Sequence, residues 1–270
     1  MEDQNNNNQS KKEKDEEIIK KEVLKQSKEN TFKSVELWSL FKGSLNLSSK
    51  GLKYISIIEK LQNIKVLYLD NNKIENIDDL AHLTKLIELR LSHNQIDDIS
   101  PLKYLNEIKK LFLSHNNISN ISPLKNIINE IKPVSQSYGN NSNTTLSYST
   151  ELKELDLSYN QISNISALAN LTGIKTLYIG DNQISDISPL SPLTKITYLY
   201  LRNNQISNIS ALSNLINITL LDLRNNKISN VSDLFGLKKL LNLNIQGCKD
   251  ITDEQVEKLQ KALPKLKIRR

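Results

Sequence analysis

Aliphatic residues recur along the chain with a period of 22 residues. With Ile64 taken as position 1, positions 1, 4 and 6 of successive units carry leucine or isoleucine almost throughout. Four later positions, 11, 14, 17 and 20, are also aliphatic, as in Ile162, Ile165, Leu168 and Leu171. The register defines nine units. Self-similarity at this period predicts a solenoid, in which each unit buries its apolar face only against its neighbours.

Positions 3 to 7 of each unit alternate between aliphatic and polar residues, which predicts a half-buried strand. With one strand per unit, successive strands should stack in parallel about 4.8 Å apart. The return path is short, and the pairs Ser100-Pro101, Ser122-Pro123 and Ser188-Pro189 place a hydroxyl before a proline. We therefore expect 3₁₀ segments there, with serine as the capping residue.

Position 9 is asparagine in seven units. A carboxamide carries both donors and an acceptor, so it can satisfy backbone groups of the neighbouring unit where the chain leaves the strand. We interpret these residues as a buried structural ladder that ends in Lys50 and Cys248: Asn72, Asn94, Asn116, Asn160, Asn182, Asn204 and Asn226.

The pattern LxxLxLxxNxIxxIxxLxxLxx, matched closely by 182–190, resembles the leucine-rich repeat. Its 22-residue form is found in internalins and in the phosphatase regulatory subunit of the Sds22 type. The ending at 251–254 and 262–266 is similar to that of ribonuclease-inhibitor-type repeats. The resemblance implies an α/β solenoid, a right-handed superhelix with a parallel concave β-sheet, mostly 3₁₀ turns on the convex side, and helical caps at both ends.

The sequence divides into five predicted segments. Residues 1–41 form a disordered tail, with disorder-like composition over 1–12, followed by a capping helix from about Asp15. Residues 42–129 form repeats 1–4, residues 130–151 an inserted flexible loop, residues 152–251 repeats 5–9, and residues 252–270 a capping helix and basic tail. The helix is indicated by Ile18, Ile19, Val23 and Leu24. The apolar plug for the first unit is predicted from Phe32, Val35, Trp38 and Phe41.

The inserted segment is one repeat long but does not fit the repeat. In phase it would place Pro133 at position 4, where it removes a ladder donor, and Ser135 at position 6, in the core. We predict an irregular loop over 137–150, with the strand near Leu111 pairing directly with the strand near Leu155. The loop is either a decayed repeat or a segment that contacts a partner.

The outward positions 3, 5 and 7 of the strands define the predicted concave face. Exposed aromatic residues beside arginine and aspartate are the types that dominate binding sites on rigid surfaces. The alternative is that some of these aromatics only pack across strands. The predicted protein-binding residues are Tyr68, Arg90, Phe112, Asp156, Tyr178, Tyr198, Tyr200, Arg202, Asp222 and Arg224.

His93 and His115 share position 8 of consecutive units and should lie close together. With Asp70 they could hold a metal, but structural zinc needs four ligands, and no further convincing ligand converges. Motifs of nucleophilic, phosphate-binding or metalloprotease chemistry are missing as well. The sequence therefore predicts a protein that is not an enzyme and has no cofactor or metal.

Charge and hydropathy narrow the possible partners and the expected location of the protein. The net charge of +6 over 270 residues arises mostly from the last fourteen, which carry a net +5. Since the predicted concave face mixes both signs, a nucleic-acid groove is not expected. Without a secretory signal or an apolar run long enough to span a bilayer, we expect a monomer in the cytoplasm or nucleus.

These features favour a non-enzymatic scaffold that binds a protein partner of unknown identity on its concave face. The Sds22 resemblance implies a regulatory subunit that holds the catalytic subunit of a Ser/Thr phosphatase. The internalin resemblance implies a surface or secreted adhesin. A nucleic-acid binder that uses the basic tail is a third hypothesis.

Overall fold

The computed structural model describes residues 2–26, 41–127, 129–135, 144–149 and 152–270. It contains two α-helices, α1 (Glu2–Gln26) and α2 (Asp253–Ala262), in this part of the chain. The strands are β1 (Ser44–Asn46), β2 (Val66–Tyr68), β3 (Glu88–Arg90), β4 (Lys110–Phe112), β5 (Asn129–Ser135), β6 (Thr144–Ser149), β7 (Glu154–Asp156), β8 (Thr176–Tyr178), β9 (Tyr198–Tyr200), β10 (Leu220–Asp222), β11 (Asn242–Asn244) and β12 (Lys267–Arg269).

Ten of these strands form one parallel sheet in the order β1-β2-β3-β4-β7-β8-β9-β10-β11-β12. Neighbouring strands pair in register, so that Leu67 lies opposite Leu89 and Leu177 opposite Leu199. The position-4 side chains are buried, as the alternation predicts, because the alternate residues of a strand point to opposite faces. The solenoid predicted from the 22-residue period is confirmed.

Short 3₁₀ segments form the return path on the convex side, as the sequence predicts. Their capping differs from the prediction, since the serine hydroxyls do not cap them. Instead, the side chain of an asparagine or aspartate at position 13 accepts a hydrogen bond from the backbone N–H two residues later, as Asn120 does from Ser122 at 2.9 Å. Short polar side chains form this Asx turn readily. The segments are Ser56–Lys60, Asp78–His82, Ser100–Tyr104, Ser122–Asn126, Ser166–Asn170, Ser188–Leu190, Ser210–Asn214 and Ser232–Leu234.

The position-9 asparagines form the predicted ladder. The Asn116 amide donates to the Leu91 carbonyl of the preceding unit at 3.0 Å and to the Leu113 carbonyl of its own unit at 3.1 Å. Its oxygen accepts from the backbone N–H of Ile96 at 3.0 Å. At the C-terminal end, the buried thiol of Cys248 donates to the Leu223 carbonyl at 3.3 Å. Each carboxamide thus joins two units through backbone groups.

The inserted segment leaves the main sheet intact. Strand β4 pairs directly with β7, as predicted, and Leu111 lies opposite Leu155. The irregular loop predicted over 137–150 is wrong for 144–149, because β5 and β6 form a separate two-stranded antiparallel sheet. The threonines and the tyrosine of β6 favour extended backbone, which suits pairing of this segment. Residues 136–143 and 150 lie outside the described residues.

The N-terminal segment is helical almost from its start, so the predicted disorder over 1–12 is wrong for the described residues. Helix α1 buries Ile19 and Val23 against the first unit, as predicted. The carboxylate of Asp15, fully buried, accepts from the backbone N–H groups of Lys53 at 2.9 Å and Tyr54 at 3.1 Å, and pairs with Lys11. This docking, together with the ion pair between Lys11 and Asp15 four residues apart, stabilises the helix around these residues. Phe32, Val35 and Trp38 of the predicted plug lie outside the described residues.

The C-terminal end differs from the predicted helix and tail. Thr252 caps α2, the predicted terminal helix, by accepting from the backbone N–H of Gln255 at 3.3 Å. The chain then turns back, and β12 pairs with β11 as the tenth strand of the sheet. Sequence reasoning assigned 267–269 to a solvated basic tail because this stretch follows Pro264, outside the 22-residue register.

Replacement of Asn116 by alanine should destabilise the array. The change leaves the buried N–H of Ile96 and the Leu91 carbonyl without this partner, at a cost of about 2–4 kcal/mol. Urea unfolding followed by circular dichroism measures the loss. The exposed neighbour Asn117 provides the matched control, for which Asn117→Ala should cost no more than about 0.5 kcal/mol. Equal unfolding midpoints for the two variants would contradict the structural ladder.

Replacement of Asp15 by alanine should loosen α1 from the first unit. The backbone N–H groups of Lys53 and Tyr54 would lose a charged acceptor, which is worth about 1.5–3 kcal/mol. Hydrogen exchange followed by mass spectrometry should show faster exchange in α1 and at these two amides. Glu17→Ala removes a carboxylate from the exposed side of the same helix and should change neither, and equal exchange in both variants would refute the docking role.

Candidate functional site

The concave face consists of the side chains at positions 3, 5 and 7, which point away from the buried position-4 residues. Most of the predicted binding residues on this face are half-buried, whereas Tyr198 is 44% exposed. Because the strands stack in register, side chains 22 residues apart become direct neighbours. The face is therefore a continuous surface that runs from β1 to β12.

Toward the N-terminal end, a cationic side chain lies between two aromatic rings. The Arg90 guanidinium is 4.3 Å from the centroid of the Phe112 ring and 5.3 Å from that of Tyr68. Its Nε donates to the Glu88 carboxylate at 2.8 Å. The three predicted residues on β2, β3 and β4 thus form one cluster, in which cation–π contacts hold the arginine in place.

The tyrosines of β8 and β9, all among the predicted binding residues, form the second cluster. The rings of Tyr178 and Tyr200 stack at 4.5 Å between centroids with an interplanar angle of 15°. Burial raises the pKa of both phenols above their ordinary value near 10, so both are neutral and able to donate a hydrogen bond at neutral pH. Tyr198 stands beside them with the largest exposed area of the three. We call Tyr178, Tyr198 and Tyr200 the tyrosine patch.

Two predicted charged residues are engaged within the chain. The carboxylate of Asp222, which is only 5% exposed, accepts from Nε of Arg224 at 2.9 Å and from its Nη2 at 2.7 Å. A buried, satisfied carboxylate is poorly placed to contact a partner directly. The Asp222 side chain instead fixes the Arg224 guanidinium in a defined orientation.

A column of stacked rings runs along one rim of the face, where position 8 has left-handed backbone geometry. The rings of His93 and His115 stack at 4.0 Å, as predicted from their shared position, and His115 stacks on Tyr159 at the same distance. The Arg202 Nη2 donates to the Tyr159 hydroxyl at 2.7 Å, and its Nε to the Asp181 carboxylate at 2.9 Å. Among the described residues, no group of three or more His, Cys, Asp or Glu side chains is arranged to hold a metal ion.

The approach of Arg202 requires a glycine in the preceding unit, two residues after the end of β8. A β-carbon at Gly180 would lie 2.9 Å from the Arg202 Cγ and 3.2 Å from the Arg202 carbonyl oxygen. The other units carry larger residues at this position 7 of the repeat. Gly180 thus allows Arg202 to cross to Asp181 and Tyr159 on the rim.

Sequence reasoning missed Tyr159, Asp181, Lys267 and Arg269 as residues of this surface. The first two occupy position 8, which points to the rim through positive φ angles of 54° and 57° rather than into the core. The last two belong to β12. The alternation of Lys267, Ile268 and Arg269 is a strand signal that could have placed them on the face.

Comparison with known proteins shows the class of this fold. A family model described as leucine-rich repeats, in two copies, matches residues 84–126, 150–192 and 194–236. Internalin C2 from Listeria monocytogenes, known from a crystal structure, is 32% identical in sequence to this chain. The alignment covers 85% of this chain and 92% of the internalin C2 chain, with a TM-score of 0.71. The chain belongs to the leucine-rich repeat proteins, and its repeats are of the internalin type.

More distant structures share the fold alone. A leucine-rich repeat protein of Leptospira interrogans is 20% identical in sequence. The alignment covers 84% of this chain and 60% of the Leptospira chain, with a TM-score of 0.65. No curated protein sequence matches this chain significantly. In the described residues, neither helix is long and apolar enough to cross a membrane.

The stacked column should be visible in a histidine titration. Burial, and after it the neighbouring His93, lower the pKa of His115 below its ordinary value near 6.5. A folded pKa below the unfolded one means that protonation opposes folding. The contribution of His115 to stability is therefore complete above pH 6.5. It is lost as the pH falls below 6.5 and through the lower pKa of the folded protein.

NMR detection of the His115 ring protons across the titration checks this prediction. The midpoint should lie below 6.5, and His93→Gln should move it upward because the repulsion between two imidazolium rings is removed. A His115 midpoint at or above 6.5, or one that His93→Gln leaves unchanged, would contradict the stacked arrangement.

Proposed function

We propose that this protein is a non-enzymatic scaffold that binds a protein partner on its concave face. The observation that carries the proposal is the tyrosine patch, held on neighbouring strands of a rigid sheet. Two of its rings are preorganised by stacking, and Tyr198 is 44% exposed. Large aromatic side chains in fixed positions lose little conformational entropy on binding and dominate interface energetics.

The surroundings of the patch support recognition of a protein rather than of a small molecule. Glu154 and Asp156 lie on β7, the strand before it, whereas Arg202 follows β9 of the patch itself and Arg224 follows β10, the next strand. An apolar centre with a polar rim of both signs is typical of protein interfaces. The face is also an extended surface, which suits a partner that lies across several strands.

One narrower version is an adhesin at a cell surface or in the medium. The observation that favours it is the similarity to internalin C2, which extends over 85% of the chain at 32% identity. The other version, a regulatory subunit that holds the catalytic subunit of a Ser/Thr phosphatase, remains a prediction from the repeat pattern. Cell fractionation separates them, since the adhesin would be found outside the cell and the regulatory subunit, as a monomer or in its complex, inside it.

A pull-down with the purified full chain tests the scaffold. Wild-type protein and the Tyr178→Ala/Tyr200→Ala variant are immobilised, and the retained proteins are quantified by mass spectrometry. Loss of two interface aromatics at about 2 kcal/mol each should reduce retention of a specific partner by a hundred-fold or more. Recovery of a Ser/Thr phosphatase catalytic subunit would identify the regulatory version.

The matched control is Tyr104→Ala on the convex side, where the tyrosine is 49% exposed. This variant should retain the same proteins as wild type. Thermal unfolding of all three proteins shows whether the double variant keeps its fold. If a folded double variant retained every partner, the tyrosine patch would not be the binding surface.

A further inference from the structure

The last strand adds unpaired positive charge to the concave face. Strand β12 pairs in register with β11, so that Lys267 lies opposite Asn242 and Arg269 opposite Asn244. The two basic side chains are therefore at the positions that point outward from the sheet, and both are exposed. Ile268 between them points inward and is partly buried against the core.

These residues border an open pocket of about 300 Å³ at the C-terminal end of the face. Tyr200 and Leu220 form its apolar side, whereas Asn244, Arg224, Lys267 and Arg269 form its polar side. We call this the terminal pocket. It adjoins the tyrosine patch, because Tyr200 belongs to both.

The charge in the terminal pocket is positive and only partly balanced. The Arg224 guanidinium is neutralised by the Asp222 carboxylate at 2.7 Å. Within the described part of the chain, Lys267 and Arg269 have no carboxylate within 4.0 Å. Neighbouring Arg270, by contrast, is paired with Asp253 on α2. Two cations on one face of a short strand lie about 7 Å apart and repel each other, so an anion between them would be stabilised.

The rest of the concave face indicates which anion fits. Asp70, Glu88, Glu154 and Asp156 lie on or directly after the strands that precede the tyrosine patch, where Glu88 is paired with Arg90 and Glu154 with Lys110. A nucleic-acid chain that followed the face would meet these carboxylates, and its affinity depends on a continuous row of cations. A short acidic segment needs positive charge only where its own carboxylates lie, and can extend its apolar part toward Tyr200 and Leu220.

We propose that the terminal pocket binds an acidic segment of the protein partner, in which carboxylates contact Lys267 and Arg269 and an adjacent aromatic or aliphatic side chain contacts Tyr200 and Leu220. The inference rests on the proposed function of the concave face, and it names the chemistry of the partner. The side-chain amides of Asn242 and Asn244 supply hydrogen-bond donors beside the two cations.

Fluorescence anisotropy with a labelled peptide tests the terminal pocket. The probe is Ser-Asp-Glu-Tyr-Glu-Asp-Ser, and the comparison peptide replaces each Asp and Glu by Asn and Gln. The full-length protein should bind the acidic probe more tightly, and added NaCl should weaken this binding. Lys267→Ala/Arg269→Ala should weaken it about ten-fold, the effect of two partly exposed ion pairs.

Lys261→Ala/Lys265→Ala is the matched control. It removes the same charge from exposed positions of the terminal segment that do not line the pocket, and it should leave the affinity for the probe unchanged. Lys267→Glu/Arg269→Glu should reverse the preference, toward a peptide with Lys in place of each Asp and Glu. Circular dichroism confirms that each variant is folded.

Three results would overturn the inference. They are equal affinity for the acidic and the amide peptide, equal loss in the two alanine pairs, and tighter binding of a single-stranded oligonucleotide of matched charge through the same residues. The pull-down with the tyrosine variant is a separate measurement that uses no peptide, and a Tyr178→Ala single variant of it leaves the lining of the terminal pocket intact. If the tyrosine variant loses its partners while the acidic probe fails to bind, only the terminal pocket is refuted. If the tyrosine variant keeps its partners while the acidic probe binds as expected, the tyrosine patch is refuted.

Discussion

Each strand of the main sheet is only three residues long, so the strand ladder alone provides few hydrogen bonds per unit. The position-9 asparagines supply the missing connections. Each joins two carbonyl groups to a backbone N–H of the preceding unit, and most of these asparagines are buried. A buried donor or acceptor without a partner is costly, so these contacts fix both the pitch of 22 residues and the register of the strands. The positions of all the side chains on the concave face depend on that register.

The insertion shows how strongly the register is enforced. Asn160 reaches back across the inserted segment to the Leu113 carbonyl at 3.0 Å, and its oxygen accepts from the Ile118 N–H at the same distance. These contacts are the same as those in uninterrupted units. The chain can therefore leave the array after unit four and re-enter it without a gap in the sheet, and Phe112 and Asp156 become neighbours on the face.

The two ends of the array are closed in different ways, with different consequences for function. At β1, the Gln26 side chain of α1 both donates to and accepts from the backbone of Asn46, so the strand edge is covered. At the other end, α2 packs on the core while β12 extends the sheet by one strand. The added strand widens the concave face and places positive charge beside the tyrosine patch. The candidate site is therefore asymmetric, with paired charges of both signs before the patch and, in the described part of the chain, unpaired positive charge after it.

The solenoid, its parallel sheet, the asparagine ladder and the tyrosine patch could be predicted because each follows from a periodic pattern in which one residue specifies its neighbour 22 positions away. Features outside that period could not. The docking of Lys11 and Asp15 on the first unit depends on contacts between distant segments, and the pairing of β12 depends on where α2 directs the chain. Burial of Asp222, the passage of Arg202 over Gly180 and the stacking of His115 on Tyr159 were likewise decided by side chains that meet only in the folded array. The sequence by itself determined the repeating framework, because local alternation and burial repeat with the chain. The tertiary structure alone decided the two ends and the charge of the face, because these arise from contacts that occur once.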